Sequence, residues 1–412
     1  MSNVDWDKRA ARIQTRIDEL ALITDEPGGI TRTLFSPAMI NANQVVAEWM
    51  REAGLQVIED ALGNLIGETA GDTDDQIFLL GSHLDTVRNA GRFDGILGVI
   101  LAIEAVDFLR TGGIRLPFSL AVVGFSDEEG VRFQNAYNGS KAFCGLITPR
   151  DLALRDRNGQ TLRQLLEQLK EGRFTMPKAR YSPERVAGYL EVHIEQGPVL
   201  EHEGLALGVV TAIAGQSRLR LTWTGKASHA GTTPVLLRQD ALLGGAGFIL
   251  AVQDATLKFP DLMATVGQIF VEPNVSNVVP SRAVHSLDVR HKDDSVRNQA
   301  CTWLEARARE IARLRQLQFA WETLQVTNAK KCDATVSRRL TDAMESVTGS
   351  TRQLPSGAGH DAAILSRLFP TAMLLIRCRR GVSHHPDEFV SLEDIAAALQ
   401  VTIEFLTSWE SV

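Results

Sequence analysis

Hydrophobic positions follow two periods along this chain. Ile77–Leu80 is an unbroken apolar run that ends at Gly81-Ser82-His83, and Phe118–Phe125 is another that ends at Ser126-Asp127-Glu128-Glu129. Tyr189–Ile194 and Met373–Cys378 repeat the scheme, each with polar residues at or just after its end. Short continuous apolar runs predict strands buried on both faces. Between them the period lengthens. Ser36-Pro37 opens a helix that reaches Met50 and is closed by Gly54, Gly95–Leu109 predicts a second helix stopped by Gly112-Gly113, and Ser391–Ser408 predicts a last one. Strands alternating with helices predict an α/β fold with a mainly parallel sheet flanked by helices, whose ligands sit beyond the carboxyl ends of the strands.

From about Gly215 to Gln325 the texture changes. Leu219–Gly225 alternates like a half-exposed strand, Met263–Val271 and Ala283–Arg290 predict further strands, and Arg238–Asp254 and Ser295–Leu314 predict helices. This segment reads as a smaller inserted α+β domain at 214–326, within a discontinuous α/β domain at 1–213 and 327–412. Hinges are expected near Ala212–Ala214 and Gln325–Ala329.

Composition narrows the function. The 412 residues suit two or three domains. A net charge of −7, from 43 basic and 50 acidic residues, argues against a general nucleic-acid or anionic-membrane binder. Cys144, Cys301, Cys332 and Cys378 form no CxxC pair, which fits reduced thiols in a cytoplasmic protein. Met1–Arg12 is charged and carries no apolar signal core, and the longest apolar runs fall short of a membrane span.

The predicted strand ends carry the candidate chemistry. His83-Leu84-Asp85 offers an imidazole with a nearby carboxylate to fix its tautomer. Asp94, just before a helix, is either a ligand or an N-cap. Glu128-Glu129 is either a solvated acidic turn or a pair in which one carboxylate binds a cation and the other stays free as a base. His193 shares a strand face with Glu191 and Glu195 and could equally be a core histidine. His384, in Ser383-His384-His385-Pro386, could belong to a polar turn. Together they supply oxygen and nitrogen donors without thiolates, which suits Zn²⁺, Mn²⁺, Co²⁺ or Ni²⁺.

GSHLDT, GRFDGILG, SDEEGVRF, EVHIEQGPVLE, KASHAGTTP, SNVVP, SGAGHDA and RGVSHHPDE, in that order, resemble the amidase/hydantoinase/carbamoylase group of the M20 metallopeptidase-like family. The resemblance runs from Thr31 to the last helix. Arg32–Ala38 and Ile376–Gly381 look most like allantoate amidohydrolases. The resemblance implies two divalent metal ions, zinc or manganese first. His83, Asp94 and His193 would hold one, and Asp94, Glu129 and His384 the other. Glu128 would be the general acid/base and Asp85 would support His83. His229 would stabilise the oxyanion in the partner subunit's site. Asn277 and Arg290 would bind the substrate carboxylate, Gln196 would contact substrate, and Gly357-Ala358 would offer backbone donors. The inserted domain would serve as lid and homodimer interface.

The expected reaction is hydrolysis of a ureido C–N bond in a small carboxylate, with allantoate first and N-carbamoyl-L-amino acids or N-carbamoyl-β-alanine as alternatives. Rival readings are a catalytically silent binding protein of the same fold, and a dimer whose histidines only staple the chain.

Overall fold

The computed structural model describes residues 4–69, 76–169, 171–172 and 174–409, so the first three residues of the charged amino-terminal stretch lie outside it. Two compact units emerge. The first contains the chain up to Thr211, Cys332–Leu354 and Ala358 onward, and the second contains Ala212–Lys331 with Pro355–Gly357. The chain therefore crosses between units four times, twice around the three-residue return at Pro355–Gly357. That return is tied to the second unit by Ala214, whose N–H donates to the Ser356 carbonyl at 2.9 Å.

Four parallel strands form the centre of the first unit's sheet, in the order Ser119–Phe125, Ile77–His83, Val186–Ile194 and Thr371–Ile376. They bury both faces, as their unbroken apolar runs require. Antiparallel strands flank them: Leu55–Glu59 and Leu65–Thr69 on one side, Leu207–Ile213 on the other. Leu55–Glu59 carried no clear signal in the sequence, because it is short and mostly water-facing.

Helix Ile96–Thr111 is buried along every residue from Ile96 to Leu109, so it is enclosed on all sides rather than amphipathic. Its two buried acids are answered by the amino-terminal helix Trp6–Ala21. Arg9 and Arg12 contact Glu104 at 2.5 and 2.6 Å, and Arg12 contacts Asp107 at 2.7 Å. The carboxyl-terminal helix Leu392–Thr407 adds a third layer element, capped by Ser391 through the Asp394 N–H.

The second unit is an antiparallel sheet in the order Ile269–Glu272, Arg282–His291, Gly215–Thr224 and Gln318–Thr327. Helices Ala241–Lys258 and Asp294–Leu314 contribute Phe248, Ala255, Ala300 and Leu304 to its core with Leu221, Trp223 and Leu287. The single strand expected at Met263–Val271 is two strands, Met263–Thr265 and Ile269–Glu272. Both pair with Arg282–His291, but Thr265 opposes Asp288 while Ile269 opposes His285, so four residue steps face three. One extra residue is accommodated as a bulge, where the Ser286 N–H reaches the Gln268 carbonyl at 3.1 Å. Among the described residues no helix is long and apolar enough to cross a membrane.

Candidate metal centre

The carboxyl ends of the parallel strands bring the predicted residues together. His83 is the last residue of its strand, and His193 is the penultimate residue of the neighbouring one. Each Nδ1 donates to a backbone carbonyl: His83 to Asp85 at 3.0 Å, and His193 to Ile194 at 2.9 Å. A carbonyl can only accept, so the proton of each neutral ring sits on Nδ1 and the lone pair on Nε2. The two Nε2 atoms lie 3.5 Å apart, and both point at Asp94 Oδ1, at 3.3 and 3.1 Å.

Asp94 Oδ1 is buried, yet no hydrogen bond of good geometry reaches it. Three lone pairs thus converge in a buried space with no proton arranged between them. A divalent cation fits that arrangement. Gly95 makes the approach possible, since a Cβ there would sit 2.4 Å from the His83 ring.

Asp94 Oδ2 serves a second group. His384 Nε2 lies 3.1 Å from it and 3.2 Å from Glu129 Oε1. Asp94, Glu129 and His384 therefore form a second cluster that could hold an ion, sharing Asp94 with the buried cluster of His83, Asp94 and His193. The two differ in exposure, because the His384 side chain is 47 % exposed and that of His83 is 2 %. His384 and Gln196 both adopt left-handed backbone, at φ 55° and 56°. Strain of this kind in non-glycine residues gathers at functional sites.

Charge follows the geometry. Burial opposes ionisation of Asp94, but the imidazoles of His193, His384 and His83 outweigh it and hold its carboxyl well below the usual range. Contacts with Asp94 and Glu129 raise His384 to about 10 against the opposing effect of burial. Glu128 is 6 % exposed, and burial pushes its carboxyl well upward, opposed by His83 and reinforced by Glu129, Asp361 and Asp85. A carboxyl raised in this way suits proton transfer near neutrality.

Asp85 has a task that the sequence did not reveal. Its carboxylate caps the turn after strand Ser119–Phe125, accepting the Glu128 N–H at 2.9 Å and the Glu129 N–H at 3.2 Å. It is the Asp85 carbonyl that orients His83, while the nearer carboxylate oxygen stands 3.7 Å from Nδ1. Gln196 lies against Asp94 Oδ2, donating at 2.8 Å.

The remaining predicted residues lie in the second unit or at its edge. His229 and Asn277 are brought side by side by a two-stranded ladder, where Val278 pairs with His229 and the Ala230 N–H donates to the Asn277 carbonyl at 3.0 Å. His229 Nδ1 accepts from Gly231 and Thr232, at 3.1 and 3.2 Å, which leaves the proton on Nε2 as an outward donor. Arg290 is already paired, forking onto Asp288 at 2.9 and 3.3 Å and donating to the Gly357 carbonyl at 2.7 Å. The Gly357 carbonyl is thus taken by Arg290, and Ala358 is the first residue back in the first unit.

Sequence reasoning assigned no role to several groups here. His360 meets the His193 ring edge-on at 4.5 Å and forms a further possible ligand group with Glu191 and His193. Glu388 is 3 % exposed and accepts from the Phe93 and Asp94 amides. Both stood inside quoted motifs, SGAGHDA and RGVSHHPDE, but no periodicity marked them.

The chain is similar along nearly its whole length to several known proteins. The N-carbamoyl-L-amino acid amidohydrolase of Geobacillus stearothermophilus is 38 % identical over 97 % of this chain and 98 % of its own length. Allantoate deiminase 1 of Glycine max is 37 % identical over 95 % of this chain and 88 % of its own. The crystal structure of an amidase of the hydantoinase/carbamoylase family from Burkholderia multivorans covers 97 % of both chains with a TM-score of 0.91 at 34 % identity. The pattern of Peptidase family M20/M25/M40 matches residues 79–408, and the chain belongs to that family.

Proposed function

We propose that this chain is a dinuclear amidohydrolase that cleaves the ureido C–N bond of a small carboxylate, allantoate being the first candidate. The observation that carries the reading is Asp94 Oδ1, buried without a hydrogen bond between two imidazole lone pairs, with the buried Glu128 carboxyl grouped with His83 and Glu129. His83, Asp94 and His193 would hold one divalent cation, and Asp94, Glu129 and His384 the other. Bound there, such a pair supplies Lewis acidity and a nucleophilic water at neutral pH.

The chain's own groups do the rest. Glu128 takes a proton from the attacking water and returns it to the leaving nitrogen. His229 donates its Nε2 proton to the developing oxyanion. Arg290 and Asn277 recognise the substrate carboxylate, and Gln196 steadies Asp94 beside it. Ammonia leaves, and the carbamate that remains decomposes to carbon dioxide and an amine.

The substrate within the class is a narrower proposal. The segments that suggested allantoate use their arginines in the fold. Arg32 is buried and donates to the carbonyls of Leu20, Ile23 and Leu84, and Arg377 forks onto Asp394 at 2.7 and 3.0 Å. N-carbamoyl-L-amino acids therefore stand as the second reading, favoured by the Geobacillus relative. A silent binding protein would have no use for Glu128 held in reserve beside a complete ligand set.

A homodimer belongs to the same proposal. On helix Ala241–Lys258, Leu243, Leu250 and Leu257 recur every seven residues and are exposed, at 46, 64 and 80 %. Ile269–Glu272, with Phe270 63 % exposed, lies at the open edge of the second unit's sheet. A second copy of this chain would cover both. Turnover and metal content of protein stripped by chelation and then reconstituted test the catalytic reading, and mass in solution tests the dimer.

A further inference from the structure

Glu388 is an acid with no place in the proposed chemistry, and it joins two parts of the metal centre that lie far apart in sequence. One oxygen, Oε1, accepts the backbone N–H of Phe93 at 2.7 Å and of Asp94 at 3.0 Å. The other, Oε2, accepts from the Ser383 hydroxyl at 3.1 Å, and the same hydroxyl lies 2.7 Å from Asp94 Oδ2. One carboxylate therefore fixes the backbone of the shared ligand Asp94, and through Ser383 it also fixes the loop that presents His384.

That loop needs holding. His384 is at φ 55°, its side chain is half exposed, and no strand carries it. His83 and His193 sit in or at the end of paired strands, and each is oriented by its own carbonyl. The turn that receives Glu388 is shaped for it, because a Cβ on Gly91 would come within 2.4 Å of the Glu388 Cβ, Cδ and Oε1 atoms.

We propose that Glu388 is a positioning residue for the exposed cation site, holding Asp94 and the His384 loop at a mutual distance that lets both reach one ion. The inference rests on the two-cation reading above. Glu388 touches neither ion nor substrate in this role, so its removal separates the two sites. In the buried group only Asp94 is loosened, because His83 and His193 keep their carbonyl partners, whereas the group of Asp94, Glu129 and His384 loses both the hold on Asp94 and the hold on the His384 loop.

The test is equilibrium dialysis of full-length, metal-stripped protein against Mn²⁺, counting bound ions at each free concentration. Wild type is expected to take up two ions per chain. Glu388→Ala should weaken the second ion by about 10- to 100-fold while the first changes by less than about threefold. Glu388→Gln keeps an acceptor for the two amides, and its NH2 can donate to the Ser383 oxygen while the Ser383 hydroxyl donates to Asp94 Oδ2, so it should stay within about threefold of wild type at both sites. Should Glu388→Ala fail to fold, Gly91→Ala displaces the same carboxylate and is expected to give the same split. Two ions bound by Glu388→Ala with wild-type affinities would overturn the inference alone. Equal weakening at both sites would overturn it too, by reducing Glu388 to a general prop. Wild type that takes up one ion or none would overturn the two-cation reading, and the inference with it.

Discussion

The Nε2 atoms of His83 and His193 face each other at 3.5 Å, while each Nδ1 is committed to a backbone carbonyl. Two neutral imidazoles so arranged repel through their lone pairs, and Asp94 Oδ1 adds a third. Either a divalent cation or a bound proton relieves that repulsion. The carboxylates of Asp94, Glu128 and Asp85 outweigh burial at His83 and raise its pKa well above the ordinary value.

Proton release on metal uptake follows. His384, raised to about 10, is cationic at pH 7 when no ion is present, and a ligand must give up that proton. Adding Mn²⁺ to stripped protein in weak buffer should acidify the solution. Affinity should rise with pH from 6 and level off as pH passes about 10, where His384 is already neutral. A pH-independent affinity would contradict the ligand role of His384.

Glu128→Gln should leave two bound cations and cut turnover by about 10²- to 10⁴-fold, the usual worth of a positioned acid/base. Metal content by elemental analysis and ammonia release at saturating substrate check both halves. Near wild-type turnover with metals bound would remove Glu128 from the mechanism.

Arg290→Ala should raise KM for carboxylate substrates by about 30-fold or more, equivalent to about 2 kcal/mol, with a smaller change in kcat. Arg290 already forks onto Asp288, so a substrate carboxylate would have to share or displace that partner. An unchanged KM would assign Arg290 to the Asp288 pair and the Gly357 carbonyl alone.

Glu104→Ala removes a fully buried acid from Arg9 and Arg12. Breaking a wholly buried pair costs about 3–5 kcal/mol, but Arg12 is 44 % exposed and can return to water, so about 2 kcal/mol is expected. The urea midpoint should fall while metal stoichiometry holds. An unmoved midpoint would show that the amino-terminal helix is held by Ile13, Ile17 and Leu20 without help from charge.

The sequence was legible where one physical signal dominated. Ile77–His83 and Ser119–Phe125 are buried on both faces, so their apolar runs are unbroken and their ends locate His83 and Glu128. Leu55–Glu59 is half-exposed, and its pattern is too weak to separate from a loop. The amino-terminal helix was not predicted, because the charge of Met1–Arg12 was weighed only against a signal peptide, yet Arg9 and Arg12 serve buried acids about ninety residues away. Asp85 was expected to support His83 with its carboxylate, but that carboxylate's work on the Glu128 and Glu129 amides depends on a turn that local pattern does not encode. Glu388 acts on Asp94 across nearly three hundred residues, a distance no spacing rule covers.

Ammonia release is the most direct measure of the central claim. Stripped and reconstituted protein should be offered allantoate, N-carbamoyl-L-amino acids, N-carbamoyl-β-alanine and a dipeptide. Cation-dependent ammonia from one or more of the ureido carboxylates, abolished by chelation and restored by Mn²⁺ or Zn²⁺, is the expected result. Undiminished turnover in stripped protein, or cleavage of the dipeptide alone, would contradict it.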